Sequence, residues 1–450
     1  MPDPPDQPHA RSTPSSSLPP PTRRRFTSYR LRGPYPKPWL SDPAIHKTRL
    51  NNWIVAALIT LGFAAAAVIG FFMVRPYRDL DYCLVYDDDF SSLNTDVWSR
   101  EVQLDGFGTG AFDWTTTDPK NSYVDASGLH IVPTLTNETT SITNDQLFAN
   151  HTLDLLHDGS CTSRRNSSCF AHSDPITGSM IPPVRSARLS TRGRHSIRYG
   201  KVEVVAKLPR GDWIWPAIWM MPEDSVYGDW PRSGEIDIME SRGNSREYPE
   251  GGNDMYYGTL HWGPTSETDS YWLTSGAKKI RRGDFSKDFH TFGIQWTSRY
   301  IYFYLDSRIH QIKFVDFRPD RPLYQLGRFA QMAENQTLLA DPWSSSKSTT
   351  GNAPFDQRFN LILSVAVGSR NGWFPLVPNL SPIPLVTTTN MVRSDRVGGK
   401  PWIDAAKNAQ WMFWSAAKEW LPTWAPGDQR GMTVRSVKMW QQGPCGKPDL

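Results

Sequence analysis

Ser233-Gly234-Glu235-Ile236-Asp237-Ile238-Met239-Glu240-Ser241 places three carboxylates within six residues, interleaved with Ile, Ile and Met. Alternation of acidic and apolar residues has the period of a β-strand with one acidic face and one apolar face. In a regular strand Glu235 and Asp237 share a face and Glu240 falls on the other. One extra residue, a β-bulge near Met239, returns Glu240 to the acidic face. The expected strand then carries three carboxyls in a row, with Ile236 and Ile238 in the core.

Like charges a few ångströms apart cannot all stay ionised cheaply, so one pKa is driven up. An ionised carboxylate beside a protonated one is what retaining glycoside hydrolysis needs, at a separation of roughly 5–5.5 Å. Five residues of straight strand span about 16 Å, so the strand must bend for both Glu side chains to lean together over Asp237. A solvated edge strand with acidic outward positions produces the same alternation. The motif alone leaves both readings open, and the rest of the chain has to decide.

The chain has 450 residues, 38% hydrophobic and 21% charged, enough for one large domain or two smaller ones. Nineteen are Trp, and seventeen of these lie beyond Trp39 and Trp53. Trp offers a large flat apolar face with a polar edge, which suits the C–H faces of a pyranose. It also fills sandwich cores, and most of the seventeen are expected there.

Trp53 to Val74 is twenty-two residues without a charge. At helical rise it spans about 33 Å, the thickness of a bilayer core. It begins too far from the N-terminus for a cleaved signal peptide, so it reads as an uncleaved signal anchor. A buried helix of a soluble domain has the same composition. Residues 1–52 hold nine Lys and Arg against three Asp, which places them on the cytoplasmic side. The formal charge of +4 therefore becomes −2 beyond the tail, and nothing there favours nucleic acid. All four Cys (Cys83, Cys161, Cys169, Cys445) lie past the anchor, an even count suited to an oxidising compartment. So do the glycosylation sequons at Asn137, Asn150, Asn166, Asn335 and Asn379. The expected topology is a single-pass type II membrane protein with a lumenal or extracellular domain.

Taken in order, residues 1–52 form a disordered basic tail, 53–74 the anchor, 75–85 a stem and 86–445 the folded domain. Asn121 to Val132 reads as a hairpin around Ala126-Ser127-Gly128. Residues 134–185 break the rhythm with three sequons and the close pair Cys161 and Cys169, as in a glycosylated surface insertion. From Ala187 onward short alternating segments return, ending with Met432 to Trp440. Many short strands with Gly and Pro turns indicate an all-β sandwich. Outside the anchor only Ile403 to Trp420 has a helical pattern, with Trp411, Trp414 and Ala417 at i, i+3 and i+6. Cys161 and Cys169 would close a short loop. Cys83 and Cys445 flank the domain, where sandwiches often bring first and last strands together, so the expected pairs are Cys161–Cys169 and Cys83–Cys445.

Gly234-Glu-Ile-Asp-Ile-Met-Glu240 resembles the active-site motif of glycoside hydrolase family 16 in its bulged, laminarinase form. Trp215-Pro-Ala-Ile-Trp219, Trp230-Pro-Arg-Ser-Gly234, Glu240-Ser-Arg-Gly-Asn244, Thr259-Leu-His-Trp-Gly263, Asn371-Gly-Trp-Phe374 and Trp420-Leu-Pro-Thr-Trp424 extend the likeness to laminarinases and β-1,3-glucan recognition proteins. It covers roughly residues 86–442. The resemblance implies a concanavalin A-like jelly roll of two curved antiparallel sheets with a cleft on the concave face. It implies Glu235 as nucleophile, Glu240 as acid/base and Asp237 as the group between them. His261 matches the histidine of the neighbouring strand, and Trp215, Trp219 and Trp230 match sugar-platform positions. Ile218 and Met220 flank Trp219, so the core also competes for that ring. Arg232 adjoins the motif without an assigned role.

The implied substrate is a β-glucan polysaccharide, cleaved or transferred at internal bonds, with the membrane as second partner through residues 53–74. A receptor that binds glucan without cleaving it, or a scaffold in glucan assembly, would use the same fold. Retention of all three carboxyls favours the enzyme. No cofactor and no catalytic metal are expected. A structural calcium occurs in some members of the family, and no ligand set for it can be picked out here. Oligomeric state is not indicated by the sequence.

Overall fold

A computed structural model of the chain describes residues 28–30, 32–78, 80–334, 337–375 and 399–446. Asn335 and Asn379 lie outside these residues. The described residues divide into two units, split between Asp79 and Leu80. In the first, one helix runs from Pro43 to Arg78 and contains an apolar stretch with a mean hydropathy of 2.5, long enough to cross a bilayer.

The second unit is built on two eight-stranded antiparallel sheets. One runs in the order Gln311–Asp316, Tyr300–Leu305, His290–Trp296, Gly200–Lys207, Met432–Gln442, Gly128–Ile131 and Ser122–Asp125, with Tyr82–Asp88 also paired to Met432–Gln442. The other runs Gly276–Lys279, Met255–His261, Glu235–Ser241, Ile214–Pro222, Phe359–Val367, Arg188–Ser190 and Ser99–Arg100, with Ser196–Ile197 also on Phe359–Val367. The architecture is the all-β sandwich that the strand pattern predicts.

Alternation decides which side each strand buries. In Gly200–Lys207, Val202, Val204 and Ala206 are fully buried, while Lys201, Glu203 and Lys207 between and beside them are partly exposed. In Ile214–Pro222 the core takes Ile214, Ile218 and Met220. These residues join Ile236, Leu260, Phe292, Ile294, Leu361 and Leu363 in one apolar cluster drawn from both sheets. Full burial of each such side chain contributes about 1.5–3 kcal/mol.

The first and last strands lie side by side, Cys83 opposite Gln441, and a disulfide joins Cys83 to Cys445. A second disulfide joins Cys161 to Cys169. The hairpin at 122–131 pairs Asp125 with Gly128 across Ala126-Ser127. Gly128 has φ +125°, and a Cβ there would lie 2.2 Å from the Val434 carbonyl oxygen of the adjoining strand.

Residues 75–85, expected as a stem, hold the end of the helix, which continues to Arg78, and the start of the first strand at Tyr82. Two expectations need correction. Residues 134–185 are more than a surface insertion. Leu135, Leu147, Ile181 and Val184 are buried in the main core, and Thr134–Leu135 and Val184–Ser186 form a small sheet with Asp113–Thr115. The polar sequon-rich composition hid apolar residues at irregular spacing. Within this segment Asn150 and Asn166 are exposed and Asn137 is half-buried. Residues 403–420 are not one helix either: only Ala409–Ser415 and Ala417–Trp420 are helical. Ring packing fixes these two turns, with Phe413 stacked on Trp420 at 4.5 Å and set against Trp402 at 5.6 Å.

Gly128→Ala combines a left-handed backbone with a collision against the final strand. It is expected to cost about 2–3 kcal/mol, read as a lowered denaturant midpoint with an unchanged slope. A midpoint equal to that of the wild type would mean that the hairpin does not pack against Val434 as described.

Candidate active site

The Glu235–Ser241 strand lies between Ile214–Pro222 and Met255–His261. Along the first neighbour, Ile218 pairs with Met239 and Trp219 with Asp237, so Ile238 has no opposite. Along the second, Asp237 faces Thr259 and Glu240 faces Tyr257, so Ile238 and Met239 together span Gly258. This is the bulge that the carboxylate spacing requires. Residues directly opposite one another share a face, so Glu235, Asp237 and Glu240 project to one side with His261, Thr259, Trp219 and Ala217. Ile236, Ile238 and Met239 are all buried in the core. Gly234, at φ +78°, turns the chain into the strand where a Cβ would press on Pro354 and Phe355 at 3.0 Å.

Each carboxyl has a partner. Trp230 Nε1–H donates to Glu235 Oε2 at 2.6 Å. Trp215 Nε1–H donates to Glu240 Oε1 at 3.0 Å. Asp237, 1% exposed, lies with Oδ2 3.2 Å from His261 Nε2. On its other side His261 Nδ1 is 2.6 Å from Asp269 Oδ2, and Asp269 Oδ1 accepts the Trp262 backbone N–H at 3.1 Å.

Burial first, and the charge of Asp237 second, push the Glu240 carboxyl up to about 8, against the opposing pull of His261, the Trp215 N–H and Arg242. Burial and Asp237 raise Glu235 as well, so the cluster releases its protons in steps that belong to the set. For His261 burial acts downward. Its hydrogen bonds to Asp237 and Asp269, with the charges of Asp237 and Glu235, outweigh this and hold the imidazole protonated well above its ordinary range. Chemically, the arrangement can keep a proton on one carboxyl while another within the same face carries charge.

The aromatic residues divide. Trp230 is the open ring, 42% exposed and 5.8 Å from His261. Trp215 is only 8% exposed, and Trp373 stacks on it at 5.1 Å. It presents no free face for a sugar, and its contact with the cluster is the hydrogen bond to Glu240. Trp219 is half-buried, donates Nε1–H to Ser364 Oγ at 3.1 Å, and carries the Arg188 guanidinium 4.5 Å from its ring. Arg232 braces the approach: its Nε donates to the Pro264 carbonyl at 2.6 Å, and its own carbonyl accepts Trp343 Nε1–H at 2.7 Å.

Several neighbours escape a reading of the sequence. Trp373 belongs to a quoted motif yet carried no role, because only the fold lays it on Trp215. Arg242 donates twice to the Trp373 carbonyl, at 2.9 and 2.7 Å, and lies 4.1 Å from its ring. Arg188 sits between Trp219 and Phe107 and pairs with Glu101 at 2.5 Å. Asp269, in an irregular loop, has no local pattern to announce it.

Among the described residues two groups bring possible metal-ligand atoms within 4.8 Å of one another: Glu235 with Asp237 and His261, and Asp125 with His130 and Asp428. Both ring nitrogens of His261 already face carboxylates, so none is left for a cation. In the second group His130 Nε2 is taken by Asp125 Oδ1 at 2.9 Å, at the hairpin turn.

A sequence model described as Glycosyl hydrolases family 16 matches residues 136–318. The beta-1,3-glucan-binding protein of Penaeus monodon is 34% identical over 397 residues, which is 86% of this chain and 97% of that protein. Glucan endo-1,3-beta-glucosidase A1 of Niallia circulans is 34% identical over 212 residues, 46% of this chain and 26% of that protein. The laminarinase catalytic domain from Thermotoga maritima MSB8 superposes with a TM-score of 0.46 at 22% identity, covering 81% of this chain and all of that structure.

The raised Glu240 pKa has a consequence for stability. Unfolded glutamate loses its proton near 4.5, whereas in the folded chain Glu240 keeps it up to about 8. Its contribution to stability is complete below pH 4.5 and is lost as pH rises toward 8, at no more than about 1.4 kcal/mol per pH unit. His261, also raised, works in the same direction. Glu240→Gln removes the first contribution, so its stability relative to wild type is expected to climb from pH 5 to pH 8. A difference in melting temperature that stays flat over this range would show that Glu240 titrates normally.

Proposed function

The chain belongs to glycosyl hydrolase family 16, and from that premise we propose that it is a retaining, endo-acting β-glucan hydrolase or transglycosylase, with β-1,3- or β-1,3/1,4-glucan as its substrate. The observation that carries this reading is the bulge that brings Glu235, Asp237 and Glu240 to one face, each with its own partner. Glu235 is the nucleophile and attacks the anomeric carbon to form a glycosyl-enzyme. Trp230 N–H and the His261 cation favour its anion, against burial and the Asp237 charge, which hold its proton. Glu240, buried and proton-holding, protonates the leaving oxygen and then takes a proton from the incoming hydroxyl. A water completes hydrolysis and a sugar hydroxyl completes transfer. Asp237 links the two glutamates and tunes both. Trp230 offers the exposed face on which a glucosyl ring stacks, with His261 and Trp219 beside the path and Trp215 acting through Glu240.

A second reading is a glucan receptor or assembly protein without catalysis. The Penaeus monodon relative, a β-1,3-glucan-binding protein, supports it. The cost of burying three carboxyls weighs against it, since binding alone gives no reason to bear that cost.

We further infer a single-pass type II arrangement in the secretory pathway or at the cell surface. Residues 53–74 within the Pro43–Arg78 helix form the anchor, and residues 1–52 are cytoplasmic. The basic tail, the two disulfides and the sequons at Asn137, Asn150, Asn166, Asn335 and Asn379 support this reading. The domain proposed at 86–445 is best extended to include the strand that starts at Tyr82.

Product analysis on full-length detergent-solubilised protein with β-1,3-, β-1,3/1,4- and β-1,6-glucans tests the enzyme directly. Glu235→Gln is expected to abolish turnover while retaining glucan binding. Glu240→Gln should lose at least about 10²–10⁴-fold on polysaccharide but still form the intermediate from a substrate with a good leaving group. Azide should rescue Glu240→Ala on that substrate and yield a β-glycosyl azide. Wild-type activity in folded Glu235→Gln would sink the assignment, and glucan binding without any product from wild type would hand the function to the receptor reading.

A further inference from the structure

We infer that Asp269 is a positioning residue: it holds His261 through Nδ1 as a cation paired with Asp237 and thereby sets the charge of the carboxylate cluster. Its kinetic consequence rests on the glycosidase reading above, whereas the pairing itself does not.

The geometry is closed on both sides of the ring. Nδ1 lies 2.6 Å from Asp269 Oδ2 and Nε2 lies 3.2 Å from Asp237 Oδ2. A carboxylate only accepts hydrogen bonds, so the short Asp269 contact takes a proton on Nδ1, and a second proton on Nε2 completes the ion pair with Asp237 at 3.2 Å. The Asp269 side chain is 8% exposed and that of Asp237 2%, so water competes little for either bond. Asp269 is itself held in place. Its Oδ1 accepts the Trp262 N–H, Trp262 is fully buried with its indole N–H on Thr274 Oγ1 at 2.9 Å, and the Trp262 carbonyl accepts Ser270 N–H at 2.9 Å. Tyr271, two residues after Asp269, stacks on the imidazole at 5.3 Å, and Trp230 lies 5.8 Å from the ring. The loop after the Met255–His261 strand is thus built around the ring.

The groups that act on His261 are few. The carboxylate strand presents Asp237 and Glu235, with Glu240 farther along. The loop presents Asp269 and the Tyr271 phenol. Arg232, tied to the Pro264 carbonyl, is the cation on the adjoining segment. Burial alone would strip the imidazole of its proton, and the two aspartates reverse that. Asp237 faces the reacting groups and has their charge to balance. Asp269 touches only the far nitrogen, so it can fix the state of the ring without meeting substrate.

Asp269→Asn isolates this role, because it keeps the shape and can still accept the Trp262 N–H. Its amide N–H₂ would then face Nδ1, which favours a neutral ring with the proton on Nε2. Losing a positive charge beside Glu235 lets that carboxyl bind its proton more tightly. The acid limb of the pH–rate profile therefore moves to higher pH.

The test uses full-length protein in detergent, with ¹⁵N-labelled histidine and His261→Gln to assign the resonance. Wild type is expected to show His261 as imidazolium at pH 7. In Asp269→Asn the ring should titrate at least about one pH unit lower and show the Nε2–H tautomer. Asp269→Glu, which keeps the charge, should keep the imidazolium, and Asp269→Ser serves as a second removal if Asn fails to fold. On β-1,3-glucan the acid limb of kcat/KM should rise by a comparable amount in Asp269→Asn. A neutral His261 in wild type, or an unchanged midpoint after removal of the Asp269 charge, overturns the inference. A wild type that cleaves no glucan, alongside a lowered midpoint in Asp269→Asn, would leave the pairing intact and remove the enzyme reading instead.

Discussion

One additional residue in a strand governs this site. Without the bulge at Ile238–Met239, Glu240 would point into the space between the sheets, and a charge there would cost several kcal/mol. With it, both Ile238 and Met239 face the core and all three carboxyls face out. The apolar side of the strand enforces the arrangement: slipping the register by one residue would turn Asp237 into the apolar core and move Ile236 and Ile238 to the carboxylate face together. Packing between the two sheets therefore holds a cluster that repels itself.

That cluster survives because every member is matched from a different direction. Trp230 reaches Glu235 from the segment before the strand, Trp215 reaches Glu240 from the neighbouring strand, and His261 reaches Asp237 from the other neighbour. Indole N–H groups are well suited to such work. They donate one hydrogen bond, accept none, carry no charge and bring a large apolar body that excludes water. The abundance of Trp in this chain thus serves hydrogen bonding as well as packing. Trp215 shows the division clearly, with its ring covered by Trp373 and its nitrogen on Glu240.

What the sequence made legible follows from period and spacing. Glu235-Ile-Asp-Ile carries its strand on its face, and Glu240 one place out of phase demands the bulge, since a carboxyl has no business in the core. The Gly200–Lys207 strand of the other sheet alternates as cleanly and is equally plain. Trp215 and Trp219 were harder, because apolar side chains on both sides of one strand leave the open face undeclared. The segment 134–185 misled through its composition: serines, asparagines and sequons surround Leu147 and Ile181, which are nonetheless buried. Asp269, Arg242 and Trp373 act across the fold, and contacts made by chain return leave no local trace.

The bond between Cys83 and Cys445 also bears on how the domain responds to pulling. The Tyr82–Asp88 strand lies antiparallel to Met432–Gln442, and Tyr82 opposite Gln442 is its outermost pair. Tension arriving along the chain from residue 80 would meet that strand end first and strip its backbone bonds one after another, like a zip. Cys83 is the second residue in that line, so the disulfide passes the load to the chain's other end before the zip can open. Force must then act on two joined strands at once.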